Sequence, residues 1–274
     1  MAITITEQQL KILEPYAYEN YITELVEHCN ECYPHLRTTM GEENLRQVLR
    51  DAVEKAEESG FTQKGSVQFY IDLLIVFGWD FETDPQYPWI KESIQSDQGK
   101  SQIRVSTELF YEVDKYLDTI SGKDSEYLFD AAKKLELLTL DNLPVTKNNF
   151  IQDMLVVLQD SYPQKYQSTE KDQCIRLIEQ GIKKSKNDYQ FEQPNHIGLV
   201  VILMFLLGHE FDHDPFYKWV SLEKSNQYIE GTLVMDQQET IARKLESRAK
   251  IWLAAAVENK KNQLADNNKE KGVV

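Results

Sequence analysis

The residues best spaced for chemistry form the run His209-Glu210-Phe211-Asp212-His213, a literal H-E-x-x-H. On a helix this spacing turns both imidazoles to one face as zinc ligands and leaves the glutamate as general base of a hydrolase. Glu230 or Glu239 would supply a third ligand. The flanking residues argue against this use. Gly208 precedes the run and Asp214-Pro215 follows it, so one uninterrupted helix through both histidines is not expected. The run reads as a loop, with His209 and His213 disfavoured as ligands and no metal or other cofactor expected.

Other constellations resolve in the same direction. Asp84 and Asp214 could act as the paired carboxylates of a two-carboxylate hydrolase. Each stands before a proline, however, Pro85 and Pro215, which suits an N-cap followed by proline at the first helical position. Tyr87, Trp89, Tyr217 and Trp219 could form an aromatic ligand platform, but aromatic residues at a helix start more often anchor that helix to the core. Cys29 and Cys32, near His28 and His35, give half of a zinc site, and no second C-x-x-C exists to complete it. No Gly-rich phosphate loop, G-x-S-x-G elbow or catalytic triad context is present. No catalytic residues are therefore expected.

The same positions reveal an internal repeat. Residues 61–89 align without a gap with residues 191–219, sharing Phe61/Phe191, Gly78/Gly208, Phe81/Phe211, Asp84/Asp214, Pro85/Pro215, Tyr87/Tyr217 and Trp89/Trp219. Upstream, Tyr21-Ile22 matches Phe150-Ile151 with one residue of slippage. The pattern is that of a duplicated unit of about 70 residues. The first copy has Trp79 where the second has His209, and Thr83 in place of His213, so neither histidine belongs to the repeated pattern.

The elements that must position these residues read as helices. Tyr16 to Cys32 carries an apolar stripe, with Pro15 expected to break the chain before it. Residues 42–59 form an amphipathic helix with Leu45, Val48, Leu49, Ala52, Val53 and Ala56 inward. Ser66 to Phe77 reads as a central helix stopped by Gly78. Further helical patterns fall at 106–120, 124–138, 147–161, 169–186, 196–207, 214–225 and 237–259. The expected fold is all-α, two pseudo-repeated helical units packed into one globular body. An N-terminal half, 1–140, holds copy one (about 21–89); a C-terminal half, 141–260, holds copy two (about 150–219); residues 261–274 are expected to be a flexible tail.

Composition limits the partners. The chain of 274 residues carries a formal net charge of −15, and residues 1–100 hold 18 Asp and Glu against 8 Lys and Arg. Nucleic acid and anionic membrane need a basic surface, so neither is expected. The longest apolar run, Ile197 to Leu207, is about half of what spans a bilayer. Three cysteines and no visible signal peptide fit the reducing cytoplasm. Asp51, Glu54, Glu57 and Glu58 make one side of helix 42–59 acidic, able to steer a basic protein.

The phrase Phe77-Gly78-x-x-Phe81-x-x-Asp84-Pro85-x-Tyr87-Pro88-Trp89, preceded by Gly60-Phe61-Thr62, resembles a family of helical bacterial proteins. Those proteins occur in gene neighbourhoods of type VI secretion and Rhs-type toxins. The likeness covers residues 44–95 and, in degenerate form, the second copy, where Lys218 replaces Pro88. It implies toxin delivery, self-protection or an accessory role, and brings no catalytic residue with it. The expected function is a non-enzymatic, cytoplasmic immunity protein. An acidic surface of Asp51, Glu54, Glu57, Glu58, Trp79, Asp80 and Glu82 would occlude the active site of a basic toxin domain. The alternative is an effector-loading adaptor or chaperone, and behind it the zinc hydrolase.

Overall fold

A computed structural model describes residues 6–95, 101–220 and 235–271. Among these the fold is all-α, with no strand. In chain order the helices are α1 (Glu7–Cys32), α2 (Pro34–Met40), α3 (Glu42–Glu58), α4 (Lys64–Phe77), α5 (Pro88–Gln95) and α6 (Gln102–Ser121). There follow α7 (Glu126–Leu137), α8 (Phe150–Ser161), α9 (Pro163–Ser168), α10 (Lys171–Asp188), α11 (Pro194–Leu207) and α12 (Met235–Lys271). Short 3-10 turns lie at Phe81–Thr83, Lys123–Ser125 and Pro215–Tyr217. No described helix is long and apolar enough to cross a membrane. The part of the expected 214–225 helix beyond Val220 lies outside the described residues.

The chain divides into two compact units, Met1–Ile71 and Asp72–Val274. This division falls inside α4, whereas the repeat suggested halves meeting near residue 140. In the first unit α3 turns Leu45, Val48, Leu49, Ala52, Val53 and Ala56 inward, the face its spacing predicted. They meet Ile22, Leu25, Val26 and Cys29 of α1 in a buried core. The Tyr21 hydroxyl donates to the Lys64 carbonyl at 2.8 Å, tying α1 to the start of α4. Pro15 does not break α1. Residues 11–20 are all exposed, so the carbonyl deprived of its N–H partner by the proline is open to water and the helix continues.

The second unit is built around α11. Its side chains from Ile197 to Leu207 are buried almost throughout, packed by α8, α10 and α12. That all-round burial explains a near-continuous apolar run too short for a membrane span. The last helix runs to Lys271, where the sequence reading placed a tail from residue 261. Residues with good helix propensity, Lys260, Lys261, Gln263 and Leu264 among them, extend the helix without needing a buried face.

Candidate functional site

The two loops with the shared residues lie against each other in the second unit. α4 ends at Gly78 (φ 99°) and α11 at Gly208 (φ 102°), a conformation glycine adopts without steric cost. A Cβ built on Gly78 would lie 2.8 Å from the Leu207 carbonyl oxygen, and one on Gly208 2.7 Å from that of Phe77. Each glycine thus admits the backbone of the other loop.

Two buried carboxylates complete the contact. Asp84 accepts from the Gln86 N–H on one oxygen and from the His209 N–H on the other, both at 2.8 Å. Asp214 accepts from the Phe216 N–H at 2.8 Å and, with its other oxygen, from the Trp79 N–H at 2.9 Å. Each aspartate therefore organises its own turn and holds the first residue of the opposite loop. Capping was legible in Asp-Pro; the exchange across the loops was not. Pro215 opens a 3-10 turn, but the helix after Asp84 begins at Pro88 rather than Pro85. Both carboxylates are buried, and each has both oxygens engaged by backbone N–H groups of the two turns.

The remaining shared residues are structural anchors. Phe81 and Phe211 are buried. Tyr87 packs on Phe77 and Tyr116, and Trp89 also contacts both. Tyr217 meets Trp252 of α12 edge-on, and Trp219 accepts through its carbonyl from Arg248 at 2.9 Å.

The H-E-x-x-H run is a turn, so its histidines do not share a helical face. His209 is buried, its ring within 3.2 Å of the Thr83 hydroxyl and 3.4 Å of Asp84, whereas His213 is 60% exposed. Glu239 bonds His196 at 2.7 Å, and Glu230 lies outside the described residues. Among the described residues Glu210, Asp212 and His213 form a cluster close enough for a cation. A cation is already there: the Lys184 ammonium lies 2.6 Å from Glu210 and 2.8 Å from Asp212. Burial alone would push Lys184 down, but Asp212 and Glu210 outweigh it and hold the ammonium above its ordinary value. Burial likewise works to raise Glu210, and hydrogen bonds from Lys184 and His213 bring it below the usual carboxylate range. Tyr189 donates to the second Asp212 oxygen at 2.9 Å.

Cys29 is buried in the first unit's core and Cys32 is exposed, and neither forms a disulfide. The pair does not present two thiols to one site.

No protein-family model, no curated protein and no solved structure matches this chain.

The surface residues remain. Asp51, Glu54, Glu57 and Glu58 are all exposed along α3. Asp51 accepts from Gln47 at 2.8 Å, while Glu54, Glu57 and Glu58 form no ion pair among the described residues. Arg50 on the same helix is turned to Glu19 of α1 at 3.0 Å. Beside this face α1 exposes Ile12, Leu13 and Tyr16, at 65%, 49% and 70%. Tyr18 links the two: partial burial, then the Glu54 carboxylate, push its hydroxyl above the ordinary value. The α1 residues were missed because Pro15 was read as a break. Trp79, Asp80 and Glu82 are half-buried and belong to the second unit. The Trp79 ring packs on Phe216 at 5.9 Å, so this residue is engaged inside the fold.

Proposed function

We propose that the chain is a non-catalytic binding protein that docks α3 and the exposed end of α1 on a basic protein partner. The observation that carries this reading is the unneutralised row Glu54, Glu57 and Glu58 beside exposed Ile12, Leu13 and Tyr16. Apolar and aromatic anchors bordered by charge are what protein interfaces use: the anchors hold, and the charges steer and select. The resemblance of the Gly78–Trp89 phrase to proteins of toxin neighbourhoods supports a narrower form, an immunity protein in the cytoplasm that covers a toxin's basic active site. The test is inhibition of the toxin encoded beside this gene by the wild type and by a variant with Asp51, Glu54, Glu57 and Glu58 all changed to Lys. Potency should fall with the association rate, and the salt dependence of binding should flatten or reverse. Unchanged potency removes this face from the reading.

The second reading, an adaptor that holds an effector for loading, is favoured by the exposed apolar side chains of α1. Ile12→Ala with Tyr16→Ala separates the two. An adaptor loses its effector's loading region, while a charge-steered inhibitor keeps most of its association rate. The zinc hydrolase is tested by metal analysis of the purified protein, where stoichiometric zinc lost in His209→Ala would revive it.

A further inference from the structure

The second unit holds a partly open pocket of about 340 Å³ between α6, α7, α11 and α12. That volume lies in the lower range of small-molecule pockets. Its walls are mostly apolar, with Ile202 and Leu206 of α11 and Trp252 and Leu253 of α12 among them, and they also include the ion pair of Glu246 and Lys250 of α12, 3.3 Å apart. One charged side chain is buried in its wall, Lys165 of α9, at 5% exposure.

The surroundings of Lys165 are incomplete for an ammonium. It donates to the Phe205 carbonyl and lies over the Phe205 and Tyr87 rings, 4.9 and 5.4 Å from their centres. An ammonium carries three N–H donors, and ring faces attract the cation without supplying lone pairs. No carboxylate lies within ion-pair distance of it among the described residues. The closest influence of that kind is Asp84, whose oxygens already accept from His209 and Gln86. On the same wall lies the buried Tyr116 hydroxyl, whose polar neighbour is the Tyr87 hydroxyl in a contact outside ideal hydrogen-bond geometry. An ammonium with one hydrogen-bond acceptor and a buried hydroxyl with one weak contact therefore border one largely apolar pocket. Such groups are costly when left unmatched, and a ligand that pairs them removes the penalty.

We propose that this cavity binds a small amphiphilic monocarboxylate, its carboxylate on Lys165 and Tyr116 and its hydrocarbon chain along α11 and α12. The ligand class follows from one buried ammonium without a paired carboxylate on mostly aliphatic and aromatic walls, where Glu246 and Lys250 pair with each other at 3.3 Å and the Tyr162 hydroxyl donates to the Ile120 carbonyl. A phosphate or dicarboxylate would bring more charge than a single buried ammonium can match. A neutral hydrocarbon would fill the chamber and leave the ammonium unpaired. Burial pushes Lys165 down to about 8, opposed by Asp84, so the group is still charged at neutral pH.

The experiment is calorimetric titration of the full chain with decanoate, decanol and decyltrimethylammonium. Decanoate should bind with one site and most tightly, decanol more weakly, and the cationic probe least. Lys165→Met keeps the length of the side chain and removes the charge. It should weaken decanoate about tenfold or more, the loss of a charge-assisted hydrogen bond, while decanol changes less than about twofold. Ala249→Trp, which fills the chamber from α12, should abolish binding of both. Should Lys165→Met fail to fold, the order of the three probes and the Ala249→Trp result decide alone. Decanoate binding no tighter than the cation, equal losses of decanoate and decanol in Lys165→Met, or undiminished binding by Ala249→Trp would each overturn the site.

Discussion

Loop one, Gly78 to Trp89, and loop two, Gly208 to Trp219, use their shared residues in one way and their private residues in two. The glycines and aspartates make the same contacts in exchange: Gly78 against Leu207 and Gly208 against Phe77, Asp84 to the His209 N–H and Asp214 to that of Trp79. Both tyrosines pack on an aromatic ring of a helix later in the chain, Tyr87 on Tyr116 of α6 and Tyr217 on Trp252 of α12. Outside that frame the loops part. Loop two carries Glu210 and Asp212, gathered around buried Lys184 of α10. At the matching places loop one has Asp80 and Glu82, both half-buried. Matched residues hold backbone geometry, then, and both loops carry an acid at the two charged places between them. Of the H-E-x-x-H run, only the two histidines, opposite Trp79 and Thr83, stand outside the match.

The largest expected effect falls on loop two. Lys184→Met leaves the Asp212 and Glu210 charges without their cation, and removing one partner of a buried ion pair costs roughly 3–5 kcal/mol. Urea unfolding measures the loss. The next effect should be symmetric. Gly78→Ala and Gly208→Ala each push a methyl against a carbonyl oxygen of the opposite loop at positive φ, and each should cost about 3 kcal/mol. Widely unequal losses would show that the loops bear unequal loads.

A smaller effect depends on pH. Glu210 is held below its ordinary value of 4.5, so its contribution is present above that pH and is lost as acid titrates the folded protein. Lys184 is held above 10.5, so its contribution is present below that pH and is lost as alkali passes the folded value. The cluster should stabilise fully between about pH 5 and 10. A urea midpoint followed against pH should fall on both sides, and Lys184→Met should remove most of both slopes. The smallest effect on folding is expected on the surface. Reversing Asp51, Glu54, Glu57 and Glu58 touches no described ion pair and should change stability by less than about 1 kcal/mol. Loss of partner binding in that variant would therefore be read as an interface effect.

Much of the fold was legible because helix spacing is a local signal. The inward face of α3 could be read off its own residues, as could the stops at Gly78 and Gly208. Pro15 misled because its cost depends on whether the freed carbonyl meets water, which exposure decides. The end of α12 misled because a helix of charged residues can extend without a buried face. Of the site, the turn-forming role of Asp84 and Asp214 was visible in Asp-Pro. Their second oxygens were not, since these reach residues 125 and 135 positions away in the chain. Lys184 and Lys165 were invisible for the same reason: nothing in the sequence around a lysine says that its ammonium is buried. The acidic side of α3 was readable, but its adjacency to the exposed end of α1 was not.

The most direct test of the loops as a structural lock rather than a pair of acid–base carboxylates is a double-mutant cycle on Asp84→Ala and Asp214→Ala, read by urea unfolding. Each single change should cost about 2 kcal/mol or more, by leaving buried N–H groups unmet. The two changes together should be non-additive by at least about 0.5 kcal/mol, because both act on one shared contact. Wild-type stability in both single variants would contradict the lock and return the carboxylates to chemistry.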